Sequence, residues 1–328
     1  MLFKSVHSSH LSALVISIFA LLVLWSRLYI IDMAHITAFD NPTMPLWNAI
    51  IIPVFGYSKF TAAILSTALA FLTAFSLNRV ILKFGLLQQQ SMLPFLVYAL
   101  LAGAFLSVQK LNPIWIYTLF YVLGIEQLFS GVSTRKPQVK CFNASLLVGI
   151  GSLFFAKGLI LFVIFFLVMA ILRIANYKTI IASLMGLVFP FALAFAYYFY
   201  TDNAITFLSE INENLFSNPG QYNHSIFSKI YIGILILLNI ISVVLSFGYM
   251  SSQKILTRRY FRCFTWMLFI ICGFVLTPFF SMEIMPVLSL VSTVIIVLWL
   301  DKMKKRRIPE IVLLMLVILT VAGQVFLY

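Results

Sequence analysis

Apolar segments long enough to cross a bilayer follow one another along almost the whole chain, and they constrain its fold more than any other feature. The hydrocarbon core of a bilayer is about 30 Å thick, which about 20 helical residues span. Backbone groups in lipid must also be hydrogen-bonded within the protein, which favours helices. We count eleven candidate spans: Leu11–Ile31, Ser58–Asn78, Ser91–Val108, Ile114–Ser130, Phe142–Ala156, Gly158–Leu172, Thr179–Tyr200, Ser228–Met250, Cys263–Phe280, Ile284–Leu300 and Ile311–Tyr328.

These segments predict an all-α fold, a polytopic transmembrane helical bundle of about 11 spans, within a range of 10–12. The bundle would form a single integral membrane domain over residues 1–328. The composition excludes a soluble domain, because 62% of the residues are hydrophobic and only 9% are charged. Soluble domains carry about 25% charged residues.

Lysine and arginine residues divide unequally between alternate connecting segments. With the N-terminus inside, 17 of the 22 cations fall on the cytoplasmic side. The positive-inside rule therefore predicts this orientation. The same distribution explains the net charge of +13. The cations orient the chain and bind anionic headgroups, so membrane lipids are the predicted partners and nucleic acid is not.

Two connecting segments on the predicted outer side are long, and they form the candidate functional face: residues 32–57 and 201–227. The first contains the stretch LWNAIIIPVFGY, which is too short to span and predicts an interfacial or re-entrant element. The second predicts a short amphipathic helix lying on the membrane. Its apolar residues recur at helical spacing: Ile205, Leu208, Ile211 and Leu215.

Known catalytic and ligand-binding motifs are missing from the sequence. It contains no Walker loop, GxGxxG, HExxH or GxSxG pattern. His7 and His10 lie on the predicted inner side and His35 and His224 on the outer side, so the two pairs cannot share one metal ion. The cysteines lack CxxC spacing. We therefore predict neither a metal site nor a cofactor.

Asp32 directly follows the first span, and Arg27 precedes it by five residues. One interpretation makes Asp32, or failing that Asp40, a catalytic general base. Arg27 and Lys157 would then hold a lipid phosphate, with His224 assisting. In the other interpretation Asp32 caps the start of the loop and residues 40–42 form a turn.

Lys157 interrupts the apolar run SLFFAKGLILF and is followed by Gly158. If the flanking segments form a hairpin, its ammonium group lies at the outer interface. There it would either anchor the turn by extending to the headgroups or bind a lipid phosphate. One continuous helix would instead place it in the hydrocarbon, at a cost of about 2.5–3.5 kcal/mol. The cation count favours the hairpin, because one crossing fewer would invert every later segment.

Several stretches resemble an uncharacterised family of bacterial multi-pass inner-membrane proteins of similar length. They are the MLFK start, DNPTMPLWNAI, FNASLLVGIGSLFF and RIANYKTIIASLMGLVFPFALAFAYYFYTDN. The layout is also remotely similar to the C-type glycosyltransferases, which use polyprenyl-phosphate sugars. These enzymes place an acidic catalytic residue in the first outer loop, where Asp32 and Asp40 lie here. The resemblance implies a bacterial inner-membrane location and a polyprenyl-phosphate carrier as partner.

The leading hypothesis is therefore an inner-membrane protein of cell-envelope glycan or lipid metabolism that transfers a sugar from a lipid phosphate at the outer face. The first alternative is a non-catalytic membrane subunit that scaffolds a partner in an envelope complex. The second is a lipid or small-solute transporter, which is less favoured because no span carries a charge at its centre.

Overall fold

The structure is a computed structural model that describes residues 11–31, 44–56, 58–87, 89–216, 226–275, 277, 282–303 and 307–326. It is 86% helical, and no strand occurs in these ranges. A π-helical segment covers Trp47–Gly56, and a single 3-10 turn covers Met282–Ile284. The α-helices are α1 Leu11–Ile30, α2 Lys59–Lys83, α3 Leu93–Ala102, α4 Leu106–Gln109, α5 Pro113–Gly131, α6 Pro137–Ser152, α7 Gly158–Leu161, α8 Val163–Leu172, α9 Tyr177–Tyr200, α10 Ala204–Phe216, α11 Ile226–Met250, α12 Ile255–Val275, α13 Met285–Lys302 and α14 Arg307–Phe326.

Seven helices of the described chain are long and apolar enough to cross a membrane, namely α1, α2, α5, α9, α11, α13 and α14. This confirms the predicted class, a helical membrane protein. The other predicted spans take different forms. The third is broken between α3 and α4, and the fifth and sixth are the short α6 and α7–α8.

The predicted ninth span begins earlier than its apolar run. We expected a basic loop before Cys263, but α12 already begins at Ile255. Tyr260 is buried whereas Arg258 and Arg262 are exposed, so this end of the helix is amphipathic. An amphipathic turn can remain helical with its arginines in a polar environment.

The helices form two compact units. Unit 1 comprises Met1–Phe39, Ala62–Asn112 and Gln221–Tyr328. Its centre is α13, in which every residue from Met285 to Leu300 is buried. The helices α3, α11 and α12 pack against α13, and α1 and α14 pack against α3. A helix that is apolar all round is stable only when it is enclosed in this way.

Unit 2 comprises Asp40–Thr61 and Pro113–Gly220, and α6 packs against both α5 and α9 in it. The contact between α6 and α9 is made by small residues. Ser145 is hydrogen-bonded to Ser183. A Cβ atom at Gly149 would lie 2.7 Å from the Pro190 side chain. Because both partners advance together along their helices, α6 and α9 run parallel, with the close approach that small residues permit.

The segment between α6 and α7 is a turn between antiparallel helices. Tyr117, near the start of α5, contacts both Gly151 of α6 and Gly158 of α7. At the other end of α5, Gly131 lies against Lys140 and Ile174. Both flanking segments therefore run along α5, and the chain reverses at residues 153–157. This agrees with the hairpin predicted from the cation count.

Candidate lipid-phosphate site

Two of the five residues predicted to form the site fall within the described structure. They are Arg27 in the last turn of α1 and Lys157 in the turn before α7. Asp32, Asp40 and His224 lie outside the described residues. Arg27 belongs to unit 1 and Lys157 to unit 2, and each is considered within its own unit.

The Arg27 side chain is hydrogen-bonded to the backbone of α14, a helix distant from it in the sequence. Its Nη1 donates a hydrogen bond of 2.7 Å to the backbone oxygen of Gln324 in α14. The side chain is half-buried. A guanidinium group carries five N–H donors, and the others have no partner among the described residues. Arg27 therefore has an anchored guanidinium group with donor capacity remaining.

Two glutamine side chains surround this anchor. The amide nitrogen Nε2 of Gln324 donates to the backbone oxygens of Gly103, at 2.9 Å, and Leu24, at 3.2 Å. Nε2 of Gln109 donates to the same two oxygens, at 2.7 Å and 3.3 Å respectively. Gly103 lies in the break between α3 and α4. A broken helix in an apolar setting leaves carbonyl groups without helical partners, and these amides satisfy them without introducing a charge.

The chain segments around the two glutamines pack with their backbones in direct contact. A Cβ atom at Gly323 of α14 would lie 2.4 Å from the backbone oxygen of Ala104. The hydroxyl group of Ser66 in α2 donates to the backbone oxygen of Gln109. The C-terminal ends of α1, α3 and α14 therefore meet the N-terminal half of α2. It follows that α1, α3 and α14 run in one direction and α2 in the other.

Lys157 is buried in the protein. Only 2% of the residue is exposed, so the prediction that its side chain extends to the headgroups is wrong. The neighbouring Tyr117 hydroxyl donates to the backbone oxygen of Gly158 at 3.1 Å. The 16 residues of α6 extend only about 24 Å, which is shorter than the hydrocarbon core. A phosphate on Lys157 would therefore have to enter the packed protein.

The predicted amphipathic helix is present as α10, outside the membrane-spanning helices. Phe207 is buried and stacks on Tyr198 of α9, with ring centroids 5.0 Å apart, while Ile205 and Leu208 are exposed. Glu210 on the same helix is half-buried, and its Oε2 is covered. This burial, together with the neighbouring Glu213 carboxylate, raises the pKa of Glu210 above its ordinary value.

Sequence reasoning did not identify Gln109 and Gln324 as part of the site. The available signal was a single amide side chain in an apolar run, as in VAGQVF. Such a side chain must find a partner in a membrane interior. Its partners, however, are backbone atoms, which no motif encodes.

Comparison with protein-family models gives no match, and no curated protein or solved structure matches the chain. The family and glycosyltransferase resemblances therefore stay predictions.

Proposed function

We propose that this protein binds the phosphate group of a polyprenyl-phosphate sugar through Arg27 and transfers the sugar at the outer face of a bacterial inner membrane. One observation supports the proposal above the others. The Arg27 guanidinium is anchored by a 2.7 Å hydrogen bond at the end of α1, five residues before Asp32, and has donors to spare. Planar guanidinium groups bind phosphate through paired, charge-assisted hydrogen bonds.

The proposed chemistry assigns one role to each group. Asp32, or Asp40 in its place, accepts the proton of an acceptor hydroxyl group. The hydroxyl oxygen then forms a bond to the anomeric carbon of the sugar, and the bond from that carbon to the phosphate oxygen breaks. The lipid phosphate leaves with the bonding electron pair, and Arg27 compensates the negative charge that develops on it. Lys157 and His224 are the further groups proposed for phosphate binding.

We also propose eleven crossings with the N-terminus inside. The cation distribution supports this orientation. The directions of the helices are compatible with it, because within unit 1 α1, α3 and α14 run together against α2. Within unit 2, α6 and α9 run parallel. The chain runs in the opposite direction through α7 and α8, which connect them. This topology places the Arg27 end of α1 on the outer side.

The test of phosphate binding compares two cations of the predicted outer side. Arg27→Gln should weaken the binding of undecaprenyl phosphate in nanodiscs by about 10- to 150-fold, the range for loss of a hydrogen bond to a charged group. Lys229→Gln is the matched control, because Lys229 is exposed in the first turn of α11. We expect it to bind normally. Equal binding by both variants would refute the role of Arg27.

The test of catalysis uses Asp32→Asn and Asp40→Asn, since an amide cannot act as a general base. Asp32→Asn should abolish sugar transfer while leaving binding of the lipid phosphate intact. Full complementation of a deletion strain by both variants would remove both carboxylates from the site. A protein that then still co-purified with a stable membrane partner would fit the alternative hypothesis of a non-catalytic subunit.

A further inference from the structure

We infer that Gln324 is a positioning residue for the lipid phosphate, because its side chain fixes the backbone carbonyl group that holds the Arg27 guanidinium. The inference rests on the proposed function and deepens it. Gln324 does not touch the lipid phosphate in this scheme. It acts through Arg27.

The geometry behind the inference is a two-point attachment between α1 and α14. Arg27 donates to the Gln324 backbone oxygen, and the Gln324 amide donates back to the backbone oxygen of Leu24. Leu24 and Arg27 are three residues apart, so they lie one above the other on the same face of α1. Two bonds in opposite senses across one contact restrain both the distance and the rotation between the helix ends. The third bond, to Gly103, fixes the amide itself.

Gln109 gives this arrangement an internal control. It donates to the same two backbone oxygens as Gln324 and is equally enclosed, with exposures of 0% and 5%. It makes no hydrogen bond to Arg27. Each carbonyl group therefore has two amide donors and keeps one when either glutamine is replaced. The two glutamine side chains donate to the same acceptors and differ in their connection to the guanidinium group.

Anchoring matters because a free arginine side chain loses rotamer freedom when it binds a phosphate. Ordering one such side chain weakens binding by about two- to tenfold. When Gln324 loses its amide, the backbone oxygen remains, but its residue loses the side-chain hydrogen bonds to α1 and to the α3–α4 break. The guanidinium then has to be ordered by the ligand, and we expect the affinity to fall by this factor.

The experiment compares Gln324→Met with Gln109→Met, since methionine has a similar length but no hydrogen-bond donor. Binding of undecaprenyl phosphate in nanodiscs and the thermal midpoint are measured for both. We expect similar losses in thermal midpoint, but an affinity loss of about two- to tenfold only for Gln324→Met. Gln324→Asn, one methylene shorter, repeats the test if Gln324→Met does not accumulate.

A double-mutant cycle with Arg27→Gln separates positioning from a general loosening of the fold. Gln324→Met should weaken binding no further once Arg27 is replaced. Equal affinity losses for the two methionine variants, or normal affinity in Gln324→Met, would overturn the positioning role while Arg27→Gln still confirmed phosphate binding. Normal affinity in Arg27→Gln would instead overturn the proposed function and the positioning role together.

Discussion

Replacing Gly186 by alanine should separate α6 from α9 and destabilise unit 2. A Cβ atom at Gly186 would lie 2.3 Å from the backbone oxygen of Phe142 and 3.2 Å from the backbone nitrogen of Leu146. Both neighbours are backbone atoms of α6, so no side chain can rotate out of the way. Moving the oxygen out to 3.0 Å, near the closest approach that real Cβ atoms show, requires a displacement of about 0.7 Å.

The expected cost follows from two opposing effects. Overpacking of a well-packed contact costs about 1–3 kcal/mol. Alanine recovers about 0.5–1 kcal/mol because it is a better helix former than glycine. Because the clash is with backbone atoms, we expect the overpacking cost in the upper half of its range, about 2–3 kcal/mol, and a net destabilisation of about 1–2.5 kcal/mol. Separation of the helices also stretches the hydrogen bond between Ser145 and Ser183, which crosses the same contact.

Gly131→Ala is the matched control within unit 2. Its Cβ atom would lie 3.4 Å from Lys140 and 3.5 Å from Ile174, which is ordinary van der Waals contact. We expect its stability to equal that of the wild type or to exceed it by up to about 1 kcal/mol, because alanine is the better helix former and meets no clash there. Reversible unfolding of both variants in nanodiscs, followed by circular dichroism, gives the comparison. If Gly186→Ala were as stable as Gly131→Ala, α6 and α9 would not be packed through their small residues.

Three further predictions concern orientation, Lys157 and pH. The orientation can be tested with single cysteines in a cysteine-free background and an impermeant thiol reagent. Cysteines at positions 40 and 218 should be labelled in intact cells, whereas those at positions 135–140 and 302–307 should be labelled only after permeabilisation. The reverse pattern would exclude the N-inside topology. Lys157→Gln should lower the retention of undecaprenyl phosphate in native mass spectrometry, and unchanged retention would remove Lys157 from the site. Because the folded-state pKa of Glu210 is raised, its protonated form favours docking of α10, and this stabilisation is lost as the pH rises through that pKa. The protection factors of the α10 amides, which are exchange rates corrected for the intrinsic pH dependence of amide exchange, should therefore be higher at acidic than at neutral pH in the wild type. Those of Glu210→Gln should change little with pH, and the same pH dependence of the protection factors in both proteins would contradict the assignment.

The class of the fold could be predicted because it depends on composition and segment length. A chain with 62% hydrophobic residues has to place most side chains in lipid or in a large apolar core. The reversal near Lys157 could be predicted as well, since the distribution of cations is a property of the whole chain. The burial of Lys157 could not, because it depends on how closely α5 packs against the turn.

The break between α3 and α4 could not be foreseen from the residues that form it. The stretch LAGAFLSV contains no proline, and its apolar character matches that of an uninterrupted span. The backbone oxygen of Gly103 accepts from the amide groups of both Gln109 and Gln324, and Gln324 lies 221 residues further along the chain. For the same reason the sequence identified Arg27 as a candidate ligand but not the carbonyl group that orients it. Asp32 and Asp40 remain predictions from sequence.

The two glutamines emerge from the ribosome at very different times. Gln109 follows Leu24 by 85 residues, whereas Gln324 follows it by 300. At about 5–20 residues per second, the second donor arrives about 10–45 s after the first, which is 215 residues later. Gln109 can therefore donate to the backbone oxygens of Leu24 and Gly103 while the rest of unit 1 is still being synthesised. Gln324 then completes the same network late in translation, so that Arg27 becomes anchored only once α14 has been inserted.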